Sequence, residues 1–270
     1  MSRAPVRLAV AAVSAGLLTT GCTARGVYES SLSLGFPHPI TDQGKRMYDV
    51  WLGSVAAAAV VGLVVWGLIF FAVVRYRKTS EDLPRQVRYN LPIEVLYTAV
   101  PFVIIAVLFF YTARDETYVD KLSKNPDVTI GVVGFRWNWQ FNYVADKVQV
   151  TGQLDRPVEL VLPVDRSIRF VETSPDVIHS FWVPKFLFKR DVVPGRENSF
   201  EVTIRTPGTY IGRCAEFCGE KHSRMNFQLR VVSGPEYDAY IAKLKSDPNA
   251  AAGSDASTGA VAAQNAGSSS

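Results

Sequence analysis

The chain has 270 residues, 48% of them apolar and 20% charged, with a formal net charge of +4. That length holds one ordinary domain plus membrane spans. So slight a charge excess excludes the strongly basic class of nucleic-acid binders, and no nucleic acid is expected among the partners.

In chain order, residues 1–21 come first. They carry Arg3 and Arg7, an apolar run over 8–18 and the small residues Thr20 and Gly21, and they read as a secretory signal rather than as structure. Thr20-Gly21-Cys22 behind an apolar run resembles a bacterial lipoprotein signal, with Thr19 where Leu is more usual, and the resemblance implies lipidation of Cys22. Ordinary cleavage that leaves a free thiol is the alternative. An extracytoplasmic segment over 22–47 follows; it holds His38, which precedes Pro39, has no partner at ligand spacing and reads as structural.

Residues 50–74 are almost wholly apolar, and at about 1.5 Å per residue they extend roughly 37 Å, enough to cross a hydrocarbon core of about 30 Å. A second apolar run over 93–111 is interrupted only by Glu94, Thr98 and Pro101. The two spans make a transmembrane hairpin over 48–113. Their connection carries Arg75, Arg77, Lys78, Arg85 and Arg88 against Glu81 and Asp82, and this excess of Lys and Arg places it on the cytoplasmic side. Both chain ends and everything after residue 111 then lie outside the cytoplasm, in a protein held in a bacterial cell membrane by two spans.

Over 114–235 short runs rich in Val, Ile, Phe, Trp and Thr alternate with Gly, Pro, Asp and Asn. The pattern predicts strands over 128–133, 136–144, 158–162, 167–171, 199–204, 208–212 and 226–232, hence a Greek-key sandwich or barrel. The fold class is therefore α+β, a two-helix membrane hairpin followed by a β domain. Residues 236–270 read as a C-terminal tail, disordered from about 246, where Ala, Ser, Gly, Asn, Asp and Thr take over.

Residues 214–225 hold two thiols (Cys214, Cys218), an imidazole (His222) and a thioether (Met225). Thiolate and thioether select soft, redox-active copper, and imidazole suits both of its oxidation states. A second imidazole is supplied by His179, which follows the strand-like run over 169–172. Three other readings compete. Cysteines four apart can form a disulfide outside the cytoplasm. Zinc is a second, although it rarely takes Met and its Cys pairs are spaced differently. A mononuclear blue-copper site is the third, but it needs one Cys, and the extra thiol points to two metals bridged by two thiolates.

The pattern C-x-E-x-C-x-x-x-H-x-x-M from Cys214 to Met225, preceded by D-x-x-H-S from Asp176 to Ser180, resembles subunit II of cytochrome c oxidase, and the resemblance covers residues 48–233. It implies a cupredoxin-like Greek-key barrel with a dinuclear CuA centre. Cys214 and Cys218 would bridge both coppers, His179 and Met225 would complete one, and His222 and the backbone carbonyl of Glu216 the other. Residues 134–141 resemble the family's aromatic strand, which implies that Trp137 accepts the electron from cytochrome c; strand alternation would put Trp137, Trp139 and Phe141 on one face, and Trp139 and Phe141 read as packing residues. The family usually carries an aromatic residue where this chain has Asn138. The Glu216 carboxylate resembles a ligand of a Mg2+ ion shared with subunit I, the alternative being a solvated loop acid, and Asp191 in the segment 189–196 is placed near that ion through water. Residues 94–101 resemble the start of the family's second helix, with Tyr97 where Trp is usual, which implies that Glu94 stands at the cytoplasmic mouth of a proton path; an acid facing water or headgroups is the alternative.

The function so implied is to take electrons from cytochrome c at CuA and pass them to the haem of subunit I, which reduces dioxygen to water and drives proton translocation. Expected partners are subunit I, subunit III and a cytochrome c. This chain alone would reduce no oxygen. A membrane-anchored copper-delivery protein is the rival reading, but its thioredoxin-like fold would need alternating helices and strands and gives Met225 no role. A quinol oxidase subunit II shares the architecture and lacks the copper ligands. Residues 115–235 carry 15 Asp and Glu against 16 Lys and Arg. So nearly neutral a domain steers a diffusing basic cytochrome c weakly, which favours a tethered or supercomplex-bound cytochrome c domain as donor. Lipidation is checked by the intact mass of the mature protein: a diacylglyceryl-sized increment on an N-terminal Cys22 is expected, and an unmodified N-terminus beyond Cys22 excludes it.

Overall fold

Two helices at the N-terminal side present apolar residues to the outside along most of their length, an arrangement stable only against lipid or another protein. The computed structural model describes residues 35–79, 81, 83, 86–153 and 156–246. The expected signal, Cys22 and the tail beyond 246 lie outside the described residues. Helix α1 (Asp42–Arg75) starts where the Thr41 hydroxyl accepts from the Gly44 amide at 2.9 Å. Asp42 in its first turn and Arg75 in its last complement the helix dipole. Helix α2 (Leu91–Val119) starts at the Asn90 cap with a proline in the first turn, and carries Pro101 inside. With 34 and 29 residues the helices extend about 51 and 44 Å, longer than a hydrocarbon core of about 30 Å.

The N-terminal end of α1 is stitched into the β domain. Thr41 bridges to Ile204, the Ile40 amide donates to the Lys185 carbonyl at 3.1 Å, and the Arg205 amide donates to the Ile40 carbonyl at 2.7 Å. The Arg205 guanidinium forks onto Asp42 and also reaches Asp165. Arg46 joins the two helices through buried Asp115 at 3.3 Å. Beyond α2, the Ser123 amide and hydroxyl both donate to Glu201, which pairs with Arg169 at 3.0 Å.

Ten strands form two five-stranded sheets. They are β1 (Val128–Phe135), β2 (Asn138–Tyr143), β3 (Val148–Thr151), β4 (Glu159–Pro163), β5 (Ser167–Thr173), β6 (His179–Val183), β7 (Phe188–Val192), β8 (Asn198–Thr203), β9 (Gly208–Cys214) and β10 (Asn226–Val232). One sheet runs β3-β2-β1-β5-β8 and the other β4-β10-β9-β6-β7. The β1–β5 and β10–β4 pairs are parallel and the rest antiparallel, the crossed connectivity of a cupredoxin-like Greek key. The core between the sheets is aromatic: Phe181 stacks on Phe227 at 4.9 Å and Phe170 on Phe200 at 4.7 Å. Gly212 lies opposite Phe227 in the β9–β10 ladder, and a Cβ there would overlap the Phe227 ring.

The seven predicted strands are present. Strands β3, β6 and β7 and helix α3 (Gly234–Ser246) were not foreseen. β3 has four residues, β6 opens on His179 and Ser180, and β7 reads FKRDV, with charges that suit the edge of a sheet. α3 starts at a capping box in which the Glu236 carboxylate accepts from the Ser233 amide and hydroxyl, and it buries Tyr237, Ile241 and Leu244.

Gly212→Ala is expected to lower the stability of the β domain by about 1–3 kcal/mol, because the Phe227 ring must leave its stack on Phe181. Thermal unfolding checks it, and an unchanged midpoint would contradict this account of the core.

Candidate metal centre

The loops at one pole of the barrel bring together residues far apart in sequence. His179 opens β6 and is fully buried. Its Nε2 meets Asp176 Oδ1 at 2.9 Å and its Nδ1 lies 3.8 Å from Cys214 Sγ. A carboxylate on one ring nitrogen fixes a proton there and leaves the other nitrogen as a lone-pair donor toward the sulfur.

Cys214 ends β9 beside Phe181 of β6. The loop that follows is folded by backbone bonds: the Cys214 amide donates to the Met225 carbonyl and the Ala215 amide to the Ser180 carbonyl, each at 3.0 Å. A short 3-10 helix, His222–Arg224, brings the loop back to β10. Gly219 takes a φ of +115°, which a residue with a side chain rarely adopts, and this turn lets Cys218 face inward. Cys218 Sγ then lies 3.8 Å from Cys214 Sγ, 3.5 Å from His222 Nδ1 and 3.8 Å from Met225 Sδ. The Glu216 carbonyl lies 3.2 Å from Cys214 Sγ. Cys214 thus sits beside His179 and the Glu216 carbonyl, and Cys218 beside His222 and Met225.

The electrostatics of this cluster call for a cation. Burial pushes Asp176 up, but the Arg136 amide, the His179 ring and the Val177 amide outweigh it and hold the carboxyl at about 2. Burial likewise opposes ionisation of Cys214, yet contacts with His179 and the backbone hold that thiol at about 7. Cys218 is pushed up to about 12, by burial and then by the Cys214 sulfur beside it. Two thiolates this close ionise together only if positive charge lies between them. The donor atoms of His179, Cys214 and Cys218 all lie within 4.8 Å of one another. Sulfur, imidazole and thioether donors in one buried spot fit a soft metal, and both cysteines are free rather than disulfide-bonded.

The other residues singled out from the sequence divide. Trp137 leaves the strand it was expected to share with Trp139 and Phe141: Phe135 pairs with Asn138, so Arg136 and Trp137 form a two-residue turn. There the Trp137 Nε1 donates to the Cys218 carbonyl at 3.0 Å and the ring lies against Gly219. Trp139 and Phe141 are fully buried, and the Trp139 Nε1 donates to the Met225 carbonyl at 3.3 Å. Asn138 is buried against Gly152 rather than forming part of an outer patch. Glu216 is half-buried, and exposed Asp191 lies opposite Ser180 in the β6–β7 ladder. Glu94, in the first turn of α2, accepts from the Asn90 amide at 3.0 Å and so helps cap the helix. His38 lies 6.0 Å from the Tyr48 ring, far in sequence from the cluster. Sequence reading gave Asp176 no role, although its place three residues before His179 was the available signal.

Two helices fit to cross a membrane and a cupredoxin-like barrel carrying a cluster of two thiols, two imidazoles and a thioether define a membrane-anchored protein with a candidate soft-metal site. The family model described as cytochrome c oxidase subunit II, periplasmic domain, matches residues 128–232, and that for the transmembrane domain matches residues 37–114. The chain belongs to the cytochrome c oxidase subunit II family. It is 44% identical to a probable cytochrome c oxidase subunit 2 of Streptomyces coelicolor, over 86% of this chain and 85% of that one. It is 35% identical to the cytochrome c oxidase subunit 2 of Mycobacterium tuberculosis, over 87% and 81%. The crystal structure of the periplasmic domain of subunit II of cytochrome oxidase of Bradyrhizobium japonicum is 31% identical, covers 46% of this chain and 98% of that chain, and superposes with a TM-score of 0.43.

Asp176→Asn keeps the shape of the side chain and removes its charge. Metal affinity is expected to fall about 10- to 100-fold, measured by competition with a chelator. Because the folded-state carboxyl lies at about 2, below its unfolded value, its contribution to metal-free stability is full above about pH 4 and is lost as pH falls toward 2. The wild-type domain should therefore lose more stability over that window than Asp176→Asn, and parallel losses would contradict the assignment.

Proposed function

We propose that this chain is the electron-accepting subunit of a cytochrome c oxidase, and that its cluster holds the two coppers of a CuA centre. The observation that carries this reading is the convergence of two sulfurs, two imidazole Nδ1 atoms, a thioether and a carbonyl on one buried spot. Cys214 and Cys218 would bridge both metals, His179 with Met225 would complete one, and His222 with the Glu216 carbonyl the other. When bound, such a pair supplies a one-electron carrier whose charge is spread over two metals, so that little rearranges on reduction.

The residues of the chain do the rest. Asp176 holds the proton on His179 Nε2 and so keeps Nδ1 free to ligate. Trp139 closes the site from inside the barrel, with its ring 6.2 Å from that of His179, and keeps water from the ligands. Trp137 covers the loop from outside and is tied to the backbone of a bridging residue, the position from which an electron delivered at the surface passes inward. The Glu216 carboxylate would hold a Mg2+ ion shared with subunit I, with Asp191 nearby through water. Subunit I, joined by subunit III, receives the electron at its haem and carries out reduction of dioxygen and proton translocation. The excess of Lys and Arg in the loop between the spans supports a barrel and chain ends outside the cytoplasm. Glu94 caps α2 and would in addition face a proton path in subunit I. The copper-delivery alternative needs a thioredoxin-like fold, and the barrel does not have its helix–strand alternation.

One electron shared by two copper nuclei gives a seven-line EPR spectrum, which is expected of the copper-loaded protein. Cys218→Ser should abolish it, since a hydroxyl is a poor ligand for soft metal, whereas Met225→Leu should keep two coppers and shift the midpoint potential. Trp137→Ala should slow electron uptake and leave the spectrum intact. A normal two-copper spectrum in Cys218→Ser would overturn the bridging role.

A further inference from the structure

We infer that the surface around Trp137 receives a donor whose haem edge is rimmed by carboxylates, the reverse of the polarity carried by a basic cytochrome c. This rests on the electron-accepting role proposed for the metal centre. The Trp137 ring is fixed on the loop below it by the Cys218 carbonyl and Gly219. The Lys221 ammonium lies 5.9 Å from the ring centroid. Arg136 is the next residue in the turn, with a side chain 51% exposed and Nε 3.5 Å from Asp176. Two cations therefore flank the point at which an electron would arrive.

Asp176 does little to offset them at the surface. Its oxygens accept from the amides of Arg136 and Val177 and from the Ser174 hydroxyl, and one meets the buried His179 ring. Its charge is turned inward, on groups that hold the metal centre. Glu220 is the exposed acid next to Lys221, and Arg224 is exposed on the same loop. Ile178 is 44% exposed in the segment that Arg136 and Asp176 tie to the turn, and adds apolar surface to that segment. An apolar centre edged by cations fits the apolar edge of a haem surrounded by carboxylates. With 16 basic and 15 acidic residues over 115–235, the domain carries no net acidic charge to oppose this local sign. On docking, the ferrous haem of the donor would give up one electron and become ferric, and the metal centre held by Cys214 and Cys218 would be reduced by that electron; no bond or proton is exchanged at this surface.

The test uses the purified, copper-loaded oxidase complex and two soluble donors, a basic c-type cytochrome and the same cytochrome succinylated so that its lysine rim becomes acidic. Both the equilibrium affinity and the second-order rate of copper reduction are followed from low to physiological ionic strength. The acidic donor is expected to bind more tightly and react faster at low salt, with an advantage that shrinks as salt is added. Lys221→Glu should shift the ratio of the two affinities toward the basic donor by about tenfold. Tighter binding of the basic donor by the wild-type complex at low salt, or a ratio untouched by Lys221→Glu, would overturn the inference. Failure of the underlying role looks different: neither donor would reduce the centre at any salt, and no seven-line signal would be present.

Discussion

Two sulfurs held 3.8 Å apart in a buried pocket repel one another once both ionise, and one pole of the barrel is arranged around that repulsion. At an effective dielectric constant of about 20, two unit charges at that distance cost about 4 kcal/mol. Together with burial this keeps the proton on Cys218 while Cys214 is poised near neutrality. The charge of a metal held by Cys214 and Cys218 would remove the penalty and tie β6, β9 and β10 to one another through their loops. Metal loading and local stability would therefore be linked, the pole gaining order from an ion held there.

Much of the barrel was legible in the sequence because period-two runs of β-branched and aromatic residues report burial on one face. Strands whose sequence answers to something else were not. β6 opens on a ligand and β7 is an edge carrying Lys189, Arg190 and Asp191, so neither follows the apolar rule. The clustering of His179, Cys214 and Cys218 was legible from residue chemistry and from the resemblance; the contacts that support it were not. Asp176 acts through geometry, three residues ahead of His179, and Trp137 departs from strand alternation because the β1–β2 turn has only two residues. Lys221 gains meaning only once the loop folds back and sets it over an indole 84 positions earlier.

The same division separates helix from barrel. The spans are obvious from apolar content, whereas the contacts that join them to one another and to the β domain come from single polar residues, Arg46 for the first and Asp42, Arg205 and Ser123 for the second, unremarkable in sequence. Asp115, a buried acid near the C-terminal end of α2, would be costly alone; Arg46 and Arg114 make it a junction.

That junction makes α1 act like a screw with a fixed thread. The helix leaves the barrel at Thr41, bonded on both sides of the strand bridge, and meets α2 at Arg46 within little more than one further turn. A residue inserted between Gly44 and Arg46 would rotate everything beyond it by about 100° and shift it along the axis by about 1.5 Å. Either the Arg46–Asp115 pair or the Arg205–Asp42 fork would then have to break. Length changes in this stretch are thus tolerable only in near-whole turns, so the reading frame of the helix, as much as any side chain, sets how the barrel is turned on the helix that carries it.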